Sequence, residues 1–367
     1  LSVNPNHAEA RVFVAELWLD SEEADSARVQ AERALAVDPS SVEALAVLAV
    51  GRLLRNDERG FEEAARRAAA IDPRPASLYA TAAEASARHR GYERAVTLAR
   101  RSVSLDSTLA RGQIALGLNL MRTGRIDEAR RTLERAFAAD PYNVWVKNTL
   151  DLLDTWDEYD TLSTPRFRFM IDRKEAQLLG PYLGELMEDG YERMAARYAY
   201  RAPTPVRLEL FRSHADFSVR TVGLAGLGAL GVSFGSTLAM DSPAARPVGE
   251  FNWGSTAWHE LAHAFTLGAT DHRVPRWFSE GMSVLEERRA RSGWGAGATL
   301  PFLVAWKAGG IVPPSRLNDG FVRPRHPQEV GWSYYQASLV CEMIEQQWGA
   351  QATTAMLRGY REGLSSD

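Results

Sequence analysis

STAWHELAHAFTLG, residues Ser255 to Gly268, is the stretch whose reading decides the fold of the second half of this 367-residue chain. His259 and His263 stand four apart in a segment of helical pattern, a little over one turn. Both imidazoles therefore leave the same helix face, close enough to share one ion, and Glu260 is beside them within reach of a water held there. A chance HExxH is expected about once in a hundred chains of this composition, so the surroundings have to decide. Trp258, Leu261, Ala262, Ala264 and Phe265 carry no charge. The helix is therefore one that gets buried, where two imidazoles without partners would be a poor structural choice. Ser255 is positioned as an N-cap and Gly268 as a terminator.

A catalytic site of this kind needs a third protein ligand and a fourth position open to water. VPRWFSEGMSVLEERR offers Glu280, 17 positions after His263, at the start of another amphipathic helix and behind a proline-containing loop. Asp271 and His272 in TDHRVP are the rival ligands. A metzincin pattern would place Gly at Thr266 and His at Ala269, and neither stands there. Asp271 then reads as a turn residue, and His272 as a surface group or a neighbour of a ligand.

Together, HELAH and WFSEG resemble the gluzincins, the thermolysin-like and aminopeptidase-like zinc peptidases, and most of all the peptidase MA-like domains often found beside tetratricopeptide repeats. The resemblance spans about residues 165 to 350. It implies a thermolysin-like α+β zincin domain holding one Zn2+ per chain through His259, His263 and Glu280, with Glu260 as catalytic base. The activity it implies is hydrolysis of peptide bonds by a zinc-activated water; the alternative is a catalytically inactive, peptidase-like interaction scaffold. For the oxyanion donor, SYYQASLVCEMIEQQWG offers Tyr334, with Tyr335 as near competitor and a packed core aromatic as the plain reading of either. Val232 to Met240 stands where gluzincins place the edge strand that pairs with an extended substrate backbone. The aminopeptidase motif that anchors a free amine is not recognisable, so trimming from the N-terminus is not expected.

Toward the N-terminus, Asn4-Pro5, Asp38-Pro39, Asp72-Pro73, Asp106-Ser107 and Asp140-Pro141 recur every 34 residues. Ala34, Ala68, Ser102 and Ala136 keep the same register, and Ala27, Ala95 and Ala129 mark a second small-residue position seven further back. Small residues let antiparallel helices approach closely, and proline ends a unit because it cannot continue a helix and restricts the residue before it. Phe61 stands where the second unit should carry a small residue, so the packing of that pair is expected to differ. Residues 5 to 141 resemble tetratricopeptide repeats, in about four units such as GLNLMRTGRIDEARRTLERAFAADP. Each unit exposes an apolar face that only a neighbour covers, which makes a solenoid whose concave side commonly holds peptide segments of a protein partner.

The expected organisation is a repeat domain over residues 1–150, a linker DLLDTWDEYDTLSTP over 151–165, and a peptidase-like domain over 166–367. Within the last, Arg166 to Ile171 and Val206 to Phe211 alternate like strands, and Glu175 to Tyr198 reads as a long helix. The fold class is thus α+β, an all-α solenoid followed by the zincin domain. Gly226, Gly228 and Gly231 spell GxGxxG, but a strand-like run follows them where a helix N-terminus would have to receive a pyrophosphate. They read as a flexible loop, not a nicotinamide or flavin site.

With 45% hydrophobic and 25% charged residues and a net charge of -4, the composition implies neither a nucleic-acid nor an acidic-lipid partner. No apolar run approaches the roughly 20 residues that cross a bilayer. Cys341 is the only cysteine, which excludes an internal disulfide, leaves the compartment open, and reads as core. His7, His89, His214 and His326 read as surface or capping residues. The opening LSVNPNHAEA has neither an initiator Met nor an export signal and reads as a trimmed start.

Overall fold

The 34-residue spacing of the Asn and Asp positions reappears as a spacing of helices. In the computed structural model, which describes residues 3–20 and 23–366, α1 (Ala8–Asp20) pairs with α2 (Ala24–Val37) and α3 (Val42–Leu54) with α4 (Glu58–Ile71). They are followed by α5 (Ala76–Arg88) with α6 (Tyr92–Leu105) and α7 (Ala110–Arg122) with α8 (Ile126–Ala139), and α9 (Val144–Asp154) begins a fifth step. The cause is local. Asn4, Asp38, Asp72, Asp106 and Asp140 each accept, through Oδ1, the amide proton two residues on, at 2.8–3.2 Å. Such turns reverse the chain at no cost in unpaired backbone groups. The amide of each Asp also closes the helix before it on the carbonyl of Ala34, Ala68, Ser102 or Ala136.

Those four residues and Ala27, Ala95 and Ala129 are fully buried between helices. Phe61 is buried as well, and its ring meets Tyr79 of α5 edge-on at 6.2 Å. The next pair thus absorbs the extra volume, and the step between helices stays at 34.

The chain divides into two units between Leu150 and Asp151. The stretch expected to be a linker is structured: it completes α9, makes a 3-10 turn at Thr155–Glu158 and forms β1 (Tyr159–Ser163). Its acidic residues suit a strand with one open edge, where Asp160 pairs with Arg173 at 3.3 Å, while Leu162 packs on the core. The second unit continues with β2 (Phe167–Asp172), α10 (Arg173–Tyr198), β3 (Val206–Phe211), α11 (His214–Val222), β4 (Gly231–Ser233) and β5 (Thr237–Asp241). Then come α12 (Trp253–Ala269), α13 (Arg276–Ala290), α14 (Leu300–Lys307), α15 (Asp319–Val322), α16 (Pro327–Trp348) and α17 (Gln351–Arg361).

The five strands lie in the order β1-β2-β3-β5-β4, with β2, β3 and β5 parallel and the two edge strands antiparallel to their neighbours. The run Val232 to Met240 is therefore two strands, not one, because Gly235 at φ 93° turns the chain between them. Alternate residues Phe167, Phe169, Ile171, Leu208, Leu210, Leu238 and Met240 pack against Leu183 and Met187 of α10 and Leu261 and Phe265 of α12. Each large side chain buried in this way contributes about 1.5–3 kcal/mol. Between Leu208 and Leu210 the alternation sends Glu209 to the opposite face. There it is fully buried between Arg207, at 2.5 Å, and Arg220 of α11, at 2.6 Å. Helices therefore back one sheet face and lock the other by an ion network, leaving α12 held rigidly beside the edge strand β4.

Candidate metal centre

α12 begins one turn before the expected cap. Asn252 accepts the amide proton of Ser255 at 3.1 Å, and Ser255 lies inside the helix with its hydroxyl donating to Glu287 of α13. The helix passes Gly268 and ends at Ala269, and Asp271 and His272 then turn the chain in left-handed backbone at φ 50° and 63°. That turn delivers α13 antiparallel to the motif, with Glu280 in its second turn.

The Nε2 atoms of His259 and His263 are 3.1 Å apart, and Glu280 Oε2 lies 3.3 and 3.0 Å from them. What holds the rings is as informative. Nδ1 of His259 is 2.6 Å from Glu287 Oε1; a carboxylate only accepts, so Nδ1 carries the proton. Nδ1 of His263 faces the Ser279 hydroxyl at 2.8 Å, which faces the Thr266 hydroxyl at 2.8 Å, which reaches the His263 carbonyl at 3.4 Å. The carbonyl can only accept, so the protons run from His263 Nδ1 to Ser279 to Thr266 to the carbonyl. Both outer partners thus leave the Nε2 lone pairs turned toward Glu280.

This donor set fits zinc. Three ligands at 2.0–2.1 Å on a tetrahedron stand roughly 3.3 Å from one another, close to the three separations here. His259, His263 and Glu280 form a group of side chains able to hold one ion, all within 4.8 Å of one another. The electrostatics ask for a cation. Burial alone would depress His259, but Glu287, Glu280 and Glu260 outweigh it and raise its pKa well above the ordinary value. Burial would raise Glu280, but His263 and His259 hold its carboxyl well below the usual range. A pocket that draws a proton so strongly onto an imidazole offers the same attraction to a divalent ion. Arg276, 3.5 Å from the other oxygen of Glu280, orients that carboxylate from the solvent side.

Glu260 is buried, and its carboxylate leans on β4: a Cβ added to Gly231 would sit 2.6 Å from Glu260 Oε1. The last glycine of the GxGxxG run therefore has a steric reason that the sequence did not disclose. Tyr334 and Tyr335 have different neighbours, Tyr334 also packing edge-on to Phe321 at 5.2 Å. The Tyr334 ring lies 6.0 Å from that of His259, whereas Tyr335 packs edge-on to Phe302 at 5.2 Å and under Arg288 at 5.7 Å. Asp271 pairs with Arg361 at 3.2 Å, and neither it nor His272 belongs to the ligand group. Cys341 is fully buried and burial pushes its thiol far up. His214 is no plain surface residue: it sits between Asp241, at 3.0 Å, and the Leu227 carbonyl, at 2.7 Å, and so anchors the glycine loop leading into β4.

The supporting residues Glu287, Ser279, Thr266 and Ser255 escaped sequence reasoning. Glu287 lies two helical turns beyond Glu280, so its shared face with the ligand was the signal available.

No family model matches the chain, and no curated protein is similar to it. Among solved structures, one described as a functional characterization of Pseudomonas aeruginosa pilF is similar over 41% of this chain and 68% of its own, at 22% identity and a TM-score of 0.31. The crystal structure of MamA protein is similar over 45% of this chain and 83% of its own, at 18% identity and a TM-score of 0.26. Likenesses this slight carry no argument; the helical repeat of tetratricopeptide period rests on its own geometry, and the second unit on its residues.

Proposed function

We propose that the second unit is a zinc-dependent peptidase domain of gluzincin type and that the repeat unit recruits its protein substrate or a partner. One observation carries the reading: two Nε2 lone pairs and one carboxylate oxygen converge within 3.3 Å, each ring turned into place by a partner on its far nitrogen. A structural zinc site fills all four positions with protein and has no use for a buried carboxylate beside it. A metal held by these three side chains would keep a fourth position for solvent, and Glu260, buried and next to His259 in the helix, would serve as the base there.

Bound there, zinc would supply a Lewis acid for the scissile carbonyl and bring a water's pKa to about 7. Glu260 accepts the proton of the attacking water and returns it to the leaving amine. Glu280 and His263 stay fixed by Arg276 and Ser279. Tyr334, whose ring is 6.0 Å from that of His259 and edge-on to Phe321 at 5.2 Å, is the candidate donor to the developing oxyanion. The open edge of β4 offers main-chain groups to an extended substrate beside Glu260.

Elemental analysis of the purified chain and a casein or peptide-library assay test the proposal. One zinc per chain is expected, and Glu260→Gln is expected to lose about 10²–10⁴-fold in turnover at unchanged zinc content. A variant that cleaves as fast as the parent would remove Glu260 from the role of base.

The repeat array supports a second reading, an interaction scaffold whose metal centre does not turn over. Its helices form an architecture that commonly binds protein segments. Full zinc occupancy without hydrolysis of any peptide would favour it.

A further inference from the structure

α14 buries one large side chain, Phe302, whose ring meets Tyr335 edge-on at 5.2 Å. The rest of the helix turns apolar groups to water: Leu300, Leu303, Val304 and Trp306 are 76, 43, 61 and 61% exposed. No charged residue falls between Arg291 and Lys307. Glycines in left-handed backbone flank the helix, Gly293 and Gly295 before it and Gly309 after, so it is set on turns rather than built into the core. Exposed apolar groups gathered on one short helix cost free energy until something covers them.

Charge indicates what covers them. From Arg291 to Arg325 five cations, Arg291, Lys307, Arg316, Arg323 and Arg325, meet a single carboxylate, Asp319, in a chain whose net charge is -4. Arg316 and Arg323 share that carboxylate, and Arg325 pairs with Glu329 just beyond. Arg325 also donates to the Gly310 carbonyl at 2.7 Å, which brings a cation to the exit of α14, next to Lys307 in its last turn. The whole-chain charge, which implied no acidic-lipid partner, averages this segment with an acidic remainder.

We propose that α14 lies flat in an anionic lipid surface, its four exposed apolar side chains at the boundary between headgroups and acyl chains and Lys307 with its neighbouring arginines against the phosphates. Trp306 suits that depth, where an indole keeps its N–H wet and its ring dry. No helix of the described residues is long and apolar enough to cross a membrane, and a helix lying in the interface has no need to. An apolar peptide would leave the excess of cations around this helix unmatched, and a second copy of the chain, net charge -4, is the rival that the experiment separates from lipid. The proposal is independent of the metal centre.

The test is co-sedimentation of the full chain with vesicles of phosphatidylcholine, with and without phosphatidylglycerol. Binding is expected with the mixed vesicles at low salt, weaker with the neutral ones, and falling as salt rises. The double substitution Leu303→Asp and Trp306→Asp should weaken it by at least about tenfold. Lys307→Glu should weaken binding to mixed vesicles by about fivefold or more and leave neutral vesicles unaffected. All three side chains are exposed, so unfolding temperature and zinc content should match the parent. The idea is overturned if the parent stays in solution at both lipid compositions, or if the variants bind as it does. It is equally overturned if the parent self-associates and the double variant does not, which would assign the surface to a second copy.

Discussion

Among the described residues of the repeat unit the buried polar side chains are all uncharged, Ser86, Ser102, Gln113, Asn119 and Thr132 among them, and small alanines do most of the filling. In the second unit the buried set includes Asp172, Glu209, Arg220, Asp241, Glu260, Glu280, Glu286 and Glu287. Burying a charge costs several kcal/mol unless a partner offsets it, so a fold carries one only where a network or a reaction uses it. The repeat unit is held by close approach of neighbours repeated along one dimension. The second unit is held by apolar burial between sheet and helices, with ionic contacts that occur once and have no substitutes.

That difference is sharpest at Glu209. Arg220→Met leaves its carboxylate buried with Arg207 alone and should cost about 3–5 kcal/mol, confined to the unfolding transition of the second unit. A pH signature should accompany it. Burial works to raise the pKa of Glu209, but Arg220 and Arg207 outweigh it and hold it below the usual value. The parent therefore draws stability from this group above its unfolded pKa and loses it as pH falls through the depressed folded one. Denaturant titrations across the acid range should show that slope in the parent and a flatter one in Arg220→Met. Equal slopes, or a loss shared by both units, would break the contrast.

Metal should act on one unit only. At free zinc about 100-fold above its Kd, the second unit should gain about 2.7 kcal/mol over chelator-treated protein, while the repeat transition stays in place. The repeat unit answers to volume instead. Ala68 is fully buried, and Ala68→Leu should cost about 1–3 kcal/mol there and nothing in the second unit. Calorimetry that resolves the two transitions reads both effects.

The same contrast explains what the sequence disclosed. The repeats were legible because every signal is local: an Asp or Asn before Pro makes its own turn, and the next copy stands 34 residues on. His259 and His263 were legible for the same reason, one helical turn joining them. Glu287 was not, since a carboxylate in the later turns of an amphipathic helix ordinarily faces water, and only the antiparallel return of α13 brings it within 2.6 Å of a residue 28 positions earlier. β1 was hidden by the acids just before it and by Asp160 within it, a charge that an edge strand tolerates on its open side. The split of Val232 to Met240 was hidden by one glycine within an apolar run, whose φ of 93° decides the turn. Ser255 fitted the pattern of a cap, yet the helix starts a turn earlier and its hydroxyl serves Glu287 instead.

The smallest effect is the most direct test of periodicity. Asp38, Asp72, Asp106 and Asp140 each close one Asx turn with nearly the same bond, 3.0, 2.9, 2.8 and 3.2 Å to the amide two residues on. Asp→Ala at each position should destabilise the repeat unit by less than Ala68→Leu does, because the freed amide is near water and finds a partner there. The informative quantity is the spread. Asp38 and Asp106 also accept a hydroxyl proton, from Ser40 at 2.6 Å and Thr108 at 2.7 Å, so the variants should fall into two matched pairs in denaturant midpoint, Asp38 with Asp106 and Asp72 with Asp140. A wide spread, with one turn dominating, would mean that the array has a unique locking point and resembles the second unit more closely than its 34-residue step implies.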